Sequence, residues 1–300
     1  MCLHGASSQK IEIGSMEPEK KKGGASVTLR WVTAIILMPI VLLFVWFGGW
    51  AAFVAILAVA MLGMYEISTM LRHAGYRPLS WVSLALTLLL LVAAMFPLRQ
   101  LLILEIGGAI LLMLSFCGFY FRKSLDGALV DWALTLAPAF YLGGPLSFFL
   151  LLRGMEPGLV IPLTVPRGTW WLLVTLLGVW GFDAAAFFFG RYFGHHRLAP
   201  LISPAKTWEG VLGGLLFSVI ASLICTVVPL GVPWPIAILL GLCIGIFATL
   251  GDLAESLLKR QTHVKDSGQI IPGHGGMLDR IDSLLFAIMI VFIFAQFFGK

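Results

Sequence analysis

Pro235-Ile-Ala-Ile-Leu-Leu-Gly-Leu-Cys-Ile-Gly-Ile-Phe-Ala-Thr-Leu-Gly251-Asp252-Leu-Ala-Glu255-Ser256-Leu-Leu258 runs for 17 residues without a charge and then places two acids within four positions. An α-helix needs roughly 20 mostly apolar residues to cross the hydrocarbon core of a bilayer, and this stretch supplies 24. Asp252, Glu255, Ser256 and Lys259 fall at i, i+3, i+4 and i+7, so they form one polar stripe on an otherwise apolar helix. Charged groups turned to lipid are costly. The stripe must therefore face other helices or a water-filled cavity, which predicts a bundle of spanning helices around a polar interior site.

The rest of the chain agrees. Its hydrophobic share is 59% and its charged share 12%, against about 25% charged in a typical soluble domain. Reading apolar runs between charged or Pro/Gly breaks gives nine candidate spans: Trp31–Phe47, Trp50–Leu71, Leu79–Phe96, Leu101–Phe121, Leu129–Leu152, Trp170–Gly190, Val211–Val228, Pro235–Leu258 and Ile281–Phe298. The expected fold class is all-α, a polytopic membrane helix bundle. Only Gly48 and Gly49 separate the first two spans, which predicts a tight helical hairpin. Pro138 and the Gly143-Gly144-Pro145 break make span five a candidate for a kink or interruption. Residues 1–26 are polar and basic, with Lys20, Lys21 and Lys22, and lack the apolar core and cleavage site of a signal peptide. The expected organisation is a cytoplasmic tail (1–26), N-terminal transmembrane helices (27–168) and a C-terminal catalytic region (169–300).

Lys and Arg concentrate in the cytoplasmic loops of membrane proteins. With the N-terminus inside and nine spans, only Arg99, Arg153, Arg167 and Lys300 of the 20 Lys and Arg residues lie outside. A wrong span count would scramble that asymmetry. It also accounts for the net charge of +5 without a nucleic-acid partner. Cys2, Cys117, Cys225 and Cys243 lack metal-ligand spacing.

Polar residues converge in the last four spans. Asp183 precedes the basic end of its span by eight residues and Asp252 by seven, so both sit roughly 10–12 Å deep at 1.5 Å per residue. Asp279 and Asp282 open span nine from the same side, on one helical face. Carboxylates brought together repel unless a cation neutralises them, and hard oxygen ligands of this kind suit Mg²⁺. The competing reading pairs these acids with Lys259, Arg260 or Arg280 as structural ion pairs. Glu66 and Glu105 stand alone in their spans, and either is a structural or a functional acid. Intramembrane acids also line transport paths, but transport predicts repeat symmetry, and none is visible here.

The connection between spans eight and nine carries Lys259, Arg260, Lys265, Asp266, Arg280 and a glycine-rich turn, Pro272-Gly273-His274-Gly275-Gly276, just before a helix start. Glycines let backbone N–H groups approach an anion, and a helix N-terminus favours one. This is a phosphate-site composition, with His274 a candidate acid/base or phosphate donor. A basic loop of this kind also suits contact with anionic headgroups. Between spans six and seven, Ser203 before Pro204 reads as a helix N-cap with Pro at the first position. Lys206 and Thr207 are candidates for nucleotide phosphate, or simply part of that turn. Adjacent His195 and His196 point apart on a helix and make poor joint metal ligands.

Ser256-x-x-Lys259-Arg260-x4-Lys265-Asp266-x5-Pro272-Gly273-His274-Gly275-Gly276-x-x-Asp279-Arg280-x-Asp282 resembles the signature of the phosphatidate cytidylyltransferase (CDP-diacylglycerol synthase) family. The likeness extends upstream through Gly251-Asp252, Lys206-Thr207-Trp208-Glu209-Gly210 and Ser203-Pro204 to Asp183, over about the last 120 residues. It implies transfer of a cytidylyl group from CTP to phosphatidic acid by a Mg²⁺-dependent, homodimeric membrane enzyme, with its site on the cytoplasmic side of a bacterial inner membrane. A second cation, or another lipid acceptor such as an isoprenoid phosphate, is compatible with the same residues. Carried over, the acidic residues of the cation site are Asp252, Asp279 and Asp282, joined by Asp183 from the depth argument. Lys259, Arg260, Lys265, Asp266, His274 and Arg280 are expected at the reacting phosphates. Ser203, Lys206, Thr207, Ser256, Gly273, Gly275 and Gly276 are expected to bind substrate. Two departures are Ala184, where many relatives have Thr, and Ala205, where they often have Lys; both bear on nucleotide affinity.

Overall fold

The computed structural model describes residues 27–122, 124–155, 165–268 and 275–299, with residues 27–36 described by backbone alone. Helices follow the apolar runs in order: α1 (Val27–Phe47), α2 (Gly49–His73), α3 (Ser80–Met95), α4 (Gln100–Tyr120), α5 (Ala128–Arg153), α6 (Arg167–Phe193), α7 (Trp208–Leu230), α8 (Trp234–Gln261) and α9 (Leu278–Phe298). Seven are long and apolar enough to cross a membrane by length and composition; α3 and the Leu37–Phe47 part of α1 are shorter apolar helices.

Contacts at the helix ends show the alternation expected of an odd-numbered bundle. Arg153, closing α5, donates from Nε to the Val45 carbonyl (2.7 Å) and from Nη2 to the Trp46 carbonyl (2.8 Å) at the end of α1. Arg167, opening α6, donates to the Gly299 carbonyl beyond α9 at 3.0 Å. At the opposite face, Arg122 beyond α4 pairs with Asp131 at the start of α5 (2.6 Å), and Asp131 accepts from the Arg77 amide between α2 and α3 (2.8 Å).

The bundle is all-α as expected, and two local details differ. A short antiparallel hairpin, β1 (Arg197–Ala199) and β2 (Ser203–Thr207), joins α6 to α7, with Arg197 opposite Thr207 and Ala199 opposite Ser203. Ser203 is therefore a strand residue. The N-cap of α7 is Thr207, whose Oγ1 accepts from the Gly210 amide at 3.2 Å. Pro204 fits either reading, since helix N1 and an edge strand both dispense with its N–H. Span five is one continuous helix with Pro138 and Pro145 inside it. Neighbouring hydroxyls feed its carbonyls: Ser83 donates to Thr135 O and Ser147 to Gly144 O, each at 2.6 Å. A proline frees the carbonyl four residues earlier, here those of Leu134 and Tyr141, so these hydroxyls brace the helix beside the prolines without replacing the lost donors.

Helix α9 sits between two apolar cores. Ala287, Ile288, Val291 and Ala295 join Trp171, Val174, Leu240 and Ile244 in one core, and Leu278, Ile281 and Leu285 join Ile67, Leu142 and Leu146 in the other. The N-terminal helices thus pack directly on the start of α9. Helix α4, in contrast, buries only Ser115 and Phe119.

At the α8–α9 crossing, a Cβ on Gly251 would run into the backbone carbonyl of Asp282. That carbonyl cannot rotate aside, so Gly251→Ala should push the helices apart. Overpacking typically costs about 1–3 kcal/mol. The expected result is a lower unfolding temperature in detergent, together with reduced activity. An unchanged unfolding temperature would show that the crossing is looser than its backbone contact implies.

Candidate active site

The polar stripe of α8 faces inward, as an apolar surround requires. Glu255 is fully buried, with 0% exposure, and its carboxylate lies 2.5 Å from Lys259 Nζ one turn later. Lys259 also reaches across to α9 and donates to Asp279 Oδ1 at 2.7 Å. One ammonium therefore joins two carboxylates and ties the end of α8 to the start of α9. A buried carboxylate without such a partner is strongly unfavourable.

The other oxygen of Asp279 organises the loop before α9. Oδ2 accepts from the Ser267 amide (3.0 Å), the Gly276 amide (2.8 Å) and the Ser267 hydroxyl (2.9 Å). With Lys259 on Oδ1, the Asp279 carboxylate is saturated with donors. Gly275 adopts a left-handed backbone, φ 84°, and a Cβ there would lie 2.8 Å from Asp279 Oδ2.

Asp252 has a different partner. The hairpin brings Lys206 Nζ to 2.6 Å from its Oδ2, while Ser256, on the next turn of α8, donates to its Oδ1 at 3.2 Å. Asp282 is 9% exposed and accepts from the Ser283 amide at 2.6 Å. Asp183, on α6, keeps an accessible side chain that lines a chamber between the helices. It feels the negative charges of Asp282 and Asp252 and the positive charges of Lys206 and Arg280. Asp183, Asp252 and Asp282, from three helices, thus form one electrostatic cluster.

The chamber measures about 540 Å³ and runs between α1, α2, α5, α6 and α9. Asp183, Asp279, Arg280 and Asp282 line its charged end, and Leu37, Val41, Phe44, Ile56, Phe149 and Leu285 are among its apolar walls.

Of the residues expected at the site, Asp183, Lys206, Asp252, Ser256, Lys259, Asp279, Arg280 and Asp282 therefore gather at one end of the bundle. Gly275 and Gly276 flank Asp279. Arg260 lies at the surface and donates to the Ile202 carbonyl at 3.3 Å, Lys265 and Asp266 are exposed, and Ser203 and Thr207 belong to the hairpin and the α7 cap. Gly273 and His274 lie outside the described residues. His195 and His196 take separate partners, the Phe193 carbonyl and the Glu209 carboxylate.

Among the described residues, no three His, Cys, Asp or Glu side chains converge closely enough to hold a metal ion by themselves. Mg²⁺ does not demand that, since it is usually held by one or two carboxylates with water and substrate phosphate completing its shell. The donor chemistry of Asp183, Asp252 and Asp282 fits it.

Three contributors escaped the sequence reading of the site. Glu255 stood in the polar stripe but had no assigned partner. Ser267 carries no signal beyond its place in the loop. Glu66, an isolated acid of α2, accepts from Ser267 Oγ and from the amides of Met277 and Leu278. Its only signal was the cost of an acid within a span.

Fold and site together define an integral membrane enzyme whose charged centre lies at one end of a helix bundle and opens into an apolar chamber. The sequence profile described as the Cytidylyltransferase family matches residues 28–298, and the chain belongs to that family. It is 35% identical over 284 residues to the phosphatidate cytidylyltransferase of Brucella suis biovar 1 (strain 1330), covering 92% of this chain and 96% of the relative. The Pseudomonas aeruginosa protein of that name is 37% identical over 281 residues, 86% of this chain and 93% of its own. The one from Synechocystis is 34% identical over 295 residues, 89% and 96% respectively. These matches extend the likeness from the C-terminal signature to nearly the whole chain.

Proposed function

We propose that the chain transfers a cytidylyl group from CTP to phosphatidic acid, giving CDP-diacylglycerol and pyrophosphate. The observation that carries this reading is the junction of a Lys/Asp cluster with an apolar chamber about 540 Å³ in volume. An amphiphile with an anionic head and acyl chains matches both parts. Its chains lie among apolar walls, and its phosphate meets Arg280 and the neighbouring charges.

A phosphate oxygen of the lipid attacks the α-phosphorus of CTP. The new P–O bond forms as the bond from the α-phosphorus to the bridging oxygen breaks, and the electron pair departs with pyrophosphate. No proton need be removed from the nucleophile, which is already anionic. What the site must do is hold two polyanions together in line. Lys206 and Lys259, each held against a carboxylate, are cations aimed at those phosphates. Arg260, in the last turn of α8, and Lys265, Asp266 and His274 in the connection that follows meet CTP arriving from solution. One or two of Asp183, Asp252 and Asp282, with water and substrate phosphate, would hold Mg²⁺, alone or with a second cation, and the ion would supply charge neutralisation on the phosphates. Asp279 belongs to the same acidic set, and its part is to fix Lys259 and the loop. The concentration of Lys and Arg at this end of the bundle supports a cytoplasmic site in a bacterial inner membrane. A homodimer is part of the same reading, checked by its mass in detergent.

Purified protein in detergent, given Mg²⁺, labelled CTP and phosphatidic acid, is expected to form labelled CDP-diacylglycerol. A folded sample that forms none, but transfers to an isoprenoid phosphate, would move the assignment to another acceptor.

A further inference from the structure

We propose that Glu66, in the N-terminal half of the chain, is a positioning residue for the catalytic loop. The glycines at 268 and 276 serve it at least as directly as they serve any substrate phosphate. This rests on the cytidylyltransferase reading of the site.

Glu66 lies near the end of α2 and is 2% exposed. Its Oε1 accepts from the Met277 amide at 2.8 Å, and its Oε2 from the Leu278 amide at 2.9 Å. These are among the N–H groups that a helix start leaves without an intrahelical acceptor. Helix α9 has no side-chain cap of its own, since its N-cap residue is Met277. The cap arrives instead from 211 residues earlier in the chain, as a negative group set against the positive end of the α9 dipole.

The same carboxylate continues to the reacting centre. The Ser267 hydroxyl stands 3.1 Å from Glu66 Oε2 and 2.9 Å from Asp279 Oδ2. The hydroxyl is within hydrogen-bond reach of both acids and so links them. Asp279 in turn holds Lys259. The chain Glu66–Ser267–Asp279–Lys259 therefore runs from a helix with no assigned chemistry to a cation of the site.

Two glycines close around Glu66. A Cβ on Gly268 would lie 2.6 Å from its Oε1, and a Cβ on Gly276 would lie 2.5 Å from its Oε2 and collide with Ser267 Oγ. A glycine-rich turn before a helix suggests an anion held by backbone N–H groups. Here the anion is supplied by the protein itself. Ser267 and Gly276, on the two described flanks of the loop, are thus held in place before nucleotide arrives, which lowers the ordering cost at binding.

Glu66→Gln tests this with almost no change in volume. It leaves an NH₂ facing groups that are themselves donors. The expected result is a fall of about tenfold or more in kcat with a several-fold rise in KM for CTP, while KM for phosphatidic acid stays the same. A merely structural role would reduce the folded fraction, lowering apparent kcat without moving either KM, and that outcome would overturn the proposal. Wild-type constants would overturn it equally. Should Glu66→Gln fail to fold, Ser267→Ala removes only the bridge and keeps both amide bonds of Glu66. It is expected to raise KM for CTP in the same direction but less, and unchanged constants there would also overturn the proposal. Wild-type protein run alongside separates the two questions, since a wild type inactive on phosphatidic acid would fault the assignment of function instead.

Discussion

Lys259→Met should lower cytidylyl transfer by about a thousandfold and destabilise the protein at the same time. The side chain of Lys259 is 14% exposed and lies between Glu255, at 2.5 Å, and Asp279, at 2.7 Å. Met preserves most of the length and none of the charge. It leaves Glu255 buried with no cation against it, and removing one member of a buried pair commonly costs about 3–5 kcal/mol. The loss of rate has a separate origin. A cation directed at the phosphates stabilises charge that shifts in the transition state, and deleting one such group typically costs about 10²–10³ in kcat. The two effects come apart in the double variant Lys259→Met with Glu255→Leu. Replacing a buried pair by apolar side chains is often neutral for stability, so the unfolding temperature should largely recover. Turnover should not. If the double variant regained near wild-type kcat, Lys259 would be a structural counter-ion for Glu255 and Asp279 and no part of the chemistry.

The spans were legible because hydropathy over some twenty residues is a strong signal, and the bilayer leaves a helix few alternatives. The acidic cluster was legible for a related reason. Depth along a helix follows from counting residues, so Asp183 and Asp252 at matching depth, with Asp279 and Asp282 entering from the same side, were bound to lie near one another. Pairing was not legible. Lys206 meets Asp252 and Lys259 meets Glu255 and Asp279 because a hairpin and a helix crossing bring them together, and a sequence pattern records neither. Pro204 misled because helix N1 and an edge strand share its one requirement. Glu66 was the hardest case. It had no local partner, since the groups it serves lie more than 200 residues later in the chain, and only the packing of α2 on the start of α9 reveals them.

Asp282→Asn and Asp279→Asn should both nearly abolish turnover, yet they should move stability in opposite directions. Asp282 shares a crowded, poorly solvated region with Asp252 and Asp183. Like charges placed together disfavour one another's ionised form, so exchanging one carboxylate for an amide relieves repulsion when no divalent ion is bound. Asn keeps an oxygen for the Ser283 amide, which Asp282 now receives at 2.6 Å. With EDTA present, the unfolding temperature of Asp282→Asn should equal or exceed that of wild type. Activity should fall by about 10²–10³, because a divalent cation contributes several kcal/mol to phosphoryl-charge stabilisation and each factor of ten is about 1.4 kcal/mol. Residual activity should require more Mg²⁺. Asp279 is the reverse case, since all of its bonds are with donors: Lys259, two amides and a hydroxyl. An amide NH₂ in its place must face at least one of them, so Asp279→Asn should lower the unfolding temperature with or without Mg²⁺. Acids that create repulsion at a working site commonly trade stability for function, whereas acids that saturate donors hold the site together. If both variants were destabilised alike in EDTA, Asp282 would belong with Asp279 as an organiser of the loop, and the cation would rest on Asp183 and Asp252.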